Sequence, residues 1–180
     1  SQKHDIKVWF NKLLLRRMER AGIKPRAPER RIVERPKLLV IHERFTTGHA
    51  MVRSFKKIVG RLSDRFEISA LADESCIDGG TASIFSKVIK LPTKRPSISK
   101  IVDQITDIAP DMIFYPSLGM SHWTVMLSLL RLAPIQVASL GHPATTRSEA
   151  IDYIYTAEMD GDLTKIFSER ILVGQKAGVY

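Results

Sequence analysis

One stretch constrains the fold most: it runs from Arg131 to Glu149 and combines three local signals. An apolar, partly β-branched run from Ile135 to Leu140 predicts a buried strand. A Gly-His-Pro turn follows it. Thr146 then stands three residues before Glu149, as in a capping box, which predicts that a helix begins there. A strand, a glycine-containing turn and a helix N-terminus together predict the ligand-binding end of an α/β sheet.

The rest of the chain alternates between strand and helix patterns. Six or seven apolar runs of strand length alternate with helical periodicities, which is typical of a mainly parallel sheet with helices on both faces. We therefore expect an α/β, Rossmann-like, doubly wound domain over residues 37–175. The predicted strands cover residues 37–42, 66–72, 88–91, 111–115, 135–140, 151–156 and 171–173, and the predicted longer helices cover residues 49–62, 97–108, 121–132 and 162–169.

A basic segment precedes this domain. Residues 1–36 contain 11 Lys and Arg against 4 Asp and Glu, whereas residues 37–180 contain 17 against 15, so the net charge of +9 lies mostly in the first segment. Residues 5–21 predict an amphipathic helix with an apolar packing stripe and a solvated basic face, followed by an extended connector to residue 36. A membrane-surface or RNA-binding helix is the alternative. The stripe consists of Ile6, Trp9, Phe10, Leu13, Leu14 and Met18.

Several classes of site and partner are not indicated. The sequence has neither a G-x-G-x-x-G motif after a strand nor a G-x-x-x-x-G-K-[ST] motif, so no nucleotide-binding loop of those types is predicted. The single cysteine, Cys76, excludes an internal disulfide and a thiolate zinc site. The single cysteine also fits a reducing compartment. No apolar stretch is long enough to span a bilayer and no signal peptide is visible. Because the domain itself is nearly neutral, we expect nucleic acid not to be its partner.

Two histidines are candidates for chemistry because each follows a predicted strand. His142 lies between Gly141 and Pro143, and a proline disfavours the helical region for the residue before it. A histidine held extended in this way is a candidate general base; the alternative is a turn residue that bonds within its own loop. His49 lies in the first turn of the predicted helix 49–62, where the alternative is a surface histidine without a function.

The motifs around both histidines resemble those of one enzyme family, glycosyltransferase family 41. The resemblance rests on the segments Leu132-Ala133-Pro134-Ile135-Gln136, Leu140-Gly141-His142-Pro143-Ala144-Thr145-Thr146, Ile151-Asp152-Tyr153 and Glu43-Arg44-Phe45-Thr46-Thr47-Gly48-His49. The last segment is similar to the loop after the first strand of the family's catalytic domain. The motifs favour the branch of bacterial cytoplasmic enzymes that glucosylate asparagines of adhesins, and resemble the O-GlcNAc transferases more distantly.

This resemblance implies a fold and an activity. The family has a GT-B fold of two Rossmann-like halves, inverts the anomeric configuration, uses a UDP-sugar as donor and needs no metal or other cofactor. The chain resembles the first half, which shapes the acceptor side, and residues 176–180 would begin the linker to a missing second half. The implied reaction transfers a hexose to an asparagine, or to a serine or threonine, of a protein acceptor such as an adhesin. A fragment of this kind is expected to be inactive alone.

The resemblance also implies roles for residues in the two histidine loops. His142 would lie beside the transferred sugar and the leaving phosphate, in a turn shaped by Gly141 and Pro143. His49 would lie near the acceptor, next to Gly48. All of these residues are therefore predicted to take part in catalysis or in substrate binding.

The segment after the second histidine completes the predicted site. Thr145 and Thr146 would offer hydroxyl or N–H groups to the sugar or the diphosphate, and a helix N-terminus would stabilise charge on the departing UDP. Arg147 stands where relatives are expected to carry a histidine or a small residue. Two other functions remain open: a non-catalytic Rossmann-like binding or interaction domain, and a basic RNA-binding module.

Overall fold

The computed structural model describes residues 4–24, 29, 32–92, 97–139, 144–157 and 161–174. The strands are β1 (Lys37–His42), β2 (Glu67–Asp73), β3 (Lys87–Leu91), β4 (Met112–Tyr115), β5 (Ile135–Ser139), β6 (Tyr153–Ala157) and β7 (Arg170–Gly174). The helices are α1 (Ile6–Arg20), α2 (Ala50–Leu62), α3 (Gly79–Ala82), α4 (Ile98–Ile108) and α5 (His122–Ser128). The strands form one sheet in the order β3-β2-β1-β4-β5-β6-β7, and every neighbouring pair in it is parallel.

Helices cover both faces of this sheet, so the predicted Rossmann-like, doubly wound fold is confirmed. Side chains of β1 alternate between the faces. Leu39 and Ile41 join the core with α4 and α5, while Leu38 and Val40 join the core with α2. A strand that is buried on both faces carries a continuous apolar sequence, which explains why the bounds of β1 were predictable.

The strand order reverses between β1 and β4, and the carboxyl ends of all the parallel strands lie at one edge of the sheet. In doubly wound sheets, ligands bind in the crevice at the carboxyl ends of the strands on either side of such a reversal. The segments that follow β1, β4 and β5 meet at this edge. The described residues of these segments include the predicted site residues Gly48, His49, Thr145 and Thr146.

Two of the predicted helices are wrong. Residues 144–152 contain no helix, because Arg147 has a φ of 53°, in the left-handed region, and a carboxylate across the loop binds the Thr146 hydroxyl that was expected to cap the helix. Residues 162–169 form only one turn of 3-10 helix, Leu163–Lys165. In the first segment the bond between Thr146 and Glu169 competes with helix capping, and in the second the Ser168 N–H donates to the distant Thr145 hydroxyl instead of to a helical carbonyl.

The helix predicted over residues 121–132 is shorter in the structure, where α5 ends at Ser128. The buried side chain of Gln136 explains the early end, because its Oε1 accepts hydrogen bonds from the N–H groups of Leu132 (2.7 Å) and Ala133 (3.2 Å). These N–H groups are therefore not available for helical pairing, and the chain turns into β5 instead.

Helix α1 lies against the domain through only part of the predicted apolar stripe. Met18 is 1% exposed and joins the core, and Asn11 is 7% exposed. By contrast, Ile6, Trp9 and Leu13 are 74%, 72% and 64% exposed. The prediction is therefore wrong for these three residues, while Leu14 and Met18 of the stripe pack against the core as predicted. Polar side chains on the neighbouring side of the helix add hydrogen bonds to the domain.

Candidate functional site

The motif that carries the resemblance is tied together by its own polar side chains. Gln136 is 0% exposed; its Oε1 accepts from the Leu132 N–H, and its Nε2 donates to the Ala150 carbonyl at 2.8 Å. Arg131 donates to the Asp152 carboxylate at 2.6 Å. Residues from two separated parts of the motif therefore bind each other and fix the start of β5 relative to the start of β6.

The crevice between β1 and β4 contains the Glu43 carboxylate, which follows β1 directly and is 1% exposed. Its Oε1 accepts hydrogen bonds from the N–H groups of Gly119 (3.1 Å) and Ser121 (3.0 Å). The Met120 N–H lies 3.1 Å from each carboxylate oxygen, and the Thr124 hydroxyl donates to Oε1. This carboxylate occupies the N-terminus of α5, where backbone N–H groups otherwise attract anions.

The loop after β1 is fixed to the segment after β2 by Asp78. The N–H and hydroxyl of Thr47 donate to the Asp78 carboxylate at 2.7 and 2.9 Å, and the Thr81 N–H donates to it at 3.1 Å. The bond from the Thr47 backbone is the largest cause that lowers the pKa of Asp78 from 3.8 to about 2. A Cβ at Gly80 would lie 2.7 Å from the Thr47 hydroxyl oxygen, so this close approach favours glycine.

His49 lies at the N-cap of α2, directly before the helix begins at Ala50, and not in its first turn as predicted. Its Nδ1 accepts a hydrogen bond from the Met51 N–H at 3.2 Å. The proton of the neutral imidazole is therefore assigned to Nε2, which makes that atom a donor. Apart from its chain neighbours, no heavy atom of the described residues lies within 4 Å of a Cβ built at the preceding Gly48.

The hydroxyls of Thr145 and Thr146 both bind the Glu169 carboxylate. Thr145 is 0% exposed and donates to Oε2 of Glu169 at 2.9 Å. The Thr146 N–H donates to Oε1 at 2.7 Å, and the Thr146 hydroxyl donates to the same oxygen. Both hydroxyls are thus engaged inside the protein, and their contact with the sugar or diphosphate stays a prediction.

A cleft of about 230 Å³ opens beside this segment, between α1 and α5, and Lys7, Leu118 and Thr146 are among the residues that line it. The Lys7 ammonium donates to the Thr145 carbonyl at 2.8 Å. Partial burial lowers the pKa of Lys7, and the nearby Glu169 carboxylate opposes this shift. The cleft therefore combines an apolar wall with the Lys7 ammonium, which the Thr145 carbonyl holds in place.

Three predicted site residues, Gly141, His142 and Pro143, lie outside the described residues. Their predicted roles stay predictions. The chain is buried on both sides of this turn, since Ser139 is 6% exposed and Ala144 is 8% exposed.

Sequence analysis missed several buried ionisable groups. His42 ends β1, is 1% exposed and stacks on Phe45 with ring centroids 4.1 Å apart. Its Nε2 has no hydrogen-bond partner among the described residues, and burial lowers its pKa to about 3. Glu43 and Glu169 were missed as well, because their partners are distant in sequence. An ionisable residue directly after an apolar strand was the available signal for His42 and Glu43.

Two further properties concern metals and membranes. Across the part of the chain that the structure describes, no group of three or more His, Cys, Asp and Glu residues is arranged to hold a metal ion. Within the same ranges, no helix is both long and apolar enough to cross a membrane. Cys76 is a free thiol and is 6% exposed.

Two curated proteins are similar to nearly the whole chain. They are the UDP-glucose:protein N-beta-glucosyltransferases of Actinobacillus pleuropneumoniae serotype 5b (strain L20) and serotype 7 (strain AP76). Each is 29% identical over 175 residues, and the match covers 94% of this chain. The chain spans 28% of the length of these relatives. No family model matches the chain.

Among solved structures, the fold is similar to that of a Thermobaculum terrenum O-GlcNAc transferase, solved as a mutant. The two share 17% identity with a TM-score of 0.63, over 91% of this chain and 33% of that chain. At this identity the likeness concerns the fold. The two glucosyltransferases bear out the predicted similarity to protein glycosyltransferases, and the O-GlcNAc transferase structure bears out the predicted fold.

Proposed function

We propose that the chain forms the acceptor-side half of an inverting protein glycosyltransferase, which moves a hexose from a UDP-sugar to an asparagine of another protein. The observation that carries the proposal is the similarity to two UDP-glucose:protein N-beta-glucosyltransferases over 175 residues. Serine or threonine is the alternative acceptor, an adhesin is the expected acceptor protein, and the cytoplasm is the proposed location. A second half, outside this chain, would supply most contacts to the nucleotide.

The polar crevice between β1 and β4 supports the assignment to the acceptor side. The Glu43 carboxylate already binds the N–H groups of Gly119, Met120 and Ser121. A diphosphate brought to this point would find these donors occupied and would be repelled by the carboxylate. We infer that the UDP diphosphate is bound elsewhere, mainly by the second half.

The proposed reaction is a single displacement at the anomeric carbon. A bond forms from the acceptor nitrogen to this carbon, the bond from the carbon to the β-phosphate oxygen breaks, and UDP leaves with the electron pair. His142 would take the proton that the nitrogen loses. His49 would act differently, because its Nδ1 accepts from the Met51 N–H and its Nε2 therefore donates to the acceptor or the sugar.

The test is transfer by the full-length gene product beside the 180-residue chain. Each is incubated with UDP-glucose and an asparagine-containing peptide, and the peptide mass is measured. We expect a gain of one hexose with the full-length product and none with the short chain, because the groups that stabilise the transition state are divided between two halves. Other UDP-sugars and serine peptides define the specificity, and EDTA is expected to leave the rate unchanged. Absence of transfer under every condition would favour a non-catalytic binding domain.

A further inference from the structure

The segment 145–147 is held from two sides by residues that are distant in sequence. On one side, Glu169 binds the Thr145 hydroxyl together with the N–H and hydroxyl of Thr146. On the other side, Asn11 of α1 donates through Nδ2 to the carbonyls of Thr146 (3.1 Å) and Arg147 (2.9 Å). Helix α1 and the connection between β6 and β7 thus bind the same three-residue segment from opposite sides.

The contacts of α1 with this segment are specific rather than general packing. Lys7 donates to the Thr145 carbonyl across 138 positions of sequence, and the bonds of Asn11 span 135 and 136 positions. Asn11 is 7% exposed, and burial of an amide is unfavourable unless the amide is hydrogen-bonded. The Arg147 guanidinium also pairs with Asp5 at 3.0 Å. Three consecutive carbonyls therefore accept from two side chains of one helix.

On the other side, the network requires an acceptor at position 169. The Thr145 hydroxyl oxygen already accepts from the N–H groups of Arg147 (3.3 Å) and Ser168 (3.2 Å), so its own proton must go to an acceptor. Glu169 supplies that acceptor at 2.9 Å and is 7% exposed. The Ser168 hydroxyl, 2.8 Å from the Thr145 hydroxyl, can also accept this proton, and it donates in turn to the same Glu169 oxygen at 3.2 Å. A glutamine has only one oxygen, so its NH2 group, which cannot accept, would face either Thr145 or Thr146. The position therefore needs both carboxylate oxygens.

We infer that Asn11 and Glu169 are positioning residues of the proposed transferase, because together they fix the segment that follows the His142 turn and lines the cleft. This inference rests on the proposed function. Neither residue contacts the reacting atoms in this role; each acts through the backbone and hydroxyls of Thr145 and Thr146. A displacement of a catalytic group by about 1 Å costs about a hundredfold in rate, so a loosened segment lowers turnover.

The test compares Glu169→Gln and Asn11→Leu with a matched control in the full-length gene product. The control is Asp162→Asn, since Asp162 also accepts from a threonine N–H and hydroxyl, those of Thr164, but is bound only within its own turn. We expect kcat to fall about tenfold to a hundredfold in both variants, with KM for UDP-sugar and peptide within about twofold of wild type. The control is expected to keep the kcat of the wild type.

A second readout measures the segment itself and does not depend on activity. Amide hydrogen exchange in the peptide covering residues 140–148 is expected to rise in Glu169→Gln and Asn11→Leu and to stay unchanged in Asp162→Asn. Faster exchange together with wild-type kcat would overturn the positioning role. Unchanged exchange in both variants would overturn the claim that Asn11 and Glu169 hold the segment in place. A wild-type protein without transfer activity would overturn the proposed function and the positioning role with it, while exchange would still decide whether the two residues hold the segment.

Discussion

The Glu43 carboxylate, directly after β1, accepts a hydrogen bond at 3.0 Å from the backbone N–H of Ser121, 78 positions later in the chain. Ser121 is the N-cap of α5, and its own side chain makes no capping bond. A distant carboxylate thus replaces the local cap and supplies the negative charge that a helix N-terminus favours. The crevice of the sheet is therefore closed by a group of the protein, and ligand contacts are expected at the flanking segments around His49 and Thr146.

Removal of this carboxylate is expected to destabilise the domain strongly. Glu43→Ala leaves the N–H groups of Gly119, Met120 and Ser121 buried without their acceptor. We expect the free energy of unfolding to fall by about 3 kcal/mol, since hydrogen bonds to charged groups contribute about 1.5–3 kcal/mol each and partly share one site. Urea denaturation of the 180-residue chain measures it. Glu67→Ala, at an exposed position in β2, is the control; an equal loss in both variants would contradict the prediction.

Asp78 is expected to make the loop after β1 sensitive to acid. Its pKa is lowered from 3.8 to about 2, chiefly by the Thr47 N–H, so the folded state favours the ionised carboxylate. The stabilisation is complete above pH 3.8 and is lost as the pH falls through about 2, because the unfolded chain takes up the proton first. The difference in stability between wild type and Asp78→Asn should therefore shrink between pH 5 and pH 2. A constant difference in urea titrations at these two pH values would refute this.

His42 predicts a dependence on pH in a higher range. Burial lowers its pKa from 6.5 to about 3, so the folded protein keeps the imidazole neutral while the unfolded chain protonates it. Stability is therefore complete above pH 6.5 and declines as the pH falls toward 3. Between pH 7.5 and pH 5, wild type should lose up to about 2 kcal/mol more of its unfolding free energy than His42→Phe. Parallel pH profiles for the two proteins would show that burial does not control this titration.

The sheet was predictable and most of the polar contacts were not, for a physical reason. Residues 37–42 are apolar because both faces of β1 are buried, and this pattern is local. Thr146 followed by Glu149 has the local form of a capping box, yet the threonine hydroxyl bonds Glu169, 23 positions away. A local pattern cannot reveal a partner brought close only by the tertiary fold, and the same limit hid the contact between Glu43 and α5.

For the N-terminal helix, the error was to predict packing contacts that the structure does not contain. Its whole apolar stripe was predicted to pack, but only Met18 and its neighbour Leu14 do so; Trp9 is 72% exposed, while the polar Asn11 is 7% exposed. Amphipathic periodicity identifies which residues share a face of a helix, and not which face meets the domain. The choice of face depends here on carbonyl groups of residues 146 and 147, whose arrangement the sequence does not reveal.

His49 is expected to contribute to turnover as a hydrogen-bond donor. Its Nδ1 caps α2 through the Met51 N–H, so His49→Ala removes both the cap and the Nε2 donor, whereas His49→Asn restores a capping oxygen without that donor. In the full-length product we expect both variants to lose about tenfold or more in kcat/KM, with near wild-type stability in His49→Asn. His122→Ala, at an exposed position in α5, is the control. Full activity in His49→Asn would exclude the donor role.

The most direct test of the account is the mass of an asparagine-containing peptide after incubation with UDP-glucose and the full-length gene product, in wild type and in His142→Ala. The account predicts a gain of one hexose with wild type, and a strongly reduced rate in a His142→Ala variant that unfolds at the same urea concentration. Equal rates in the two proteins would remove His142 from the site. A peptide that gains no mass with wild type, whichever UDP-sugar is supplied, would contradict the assignment of this chain to a protein glycosyltransferase.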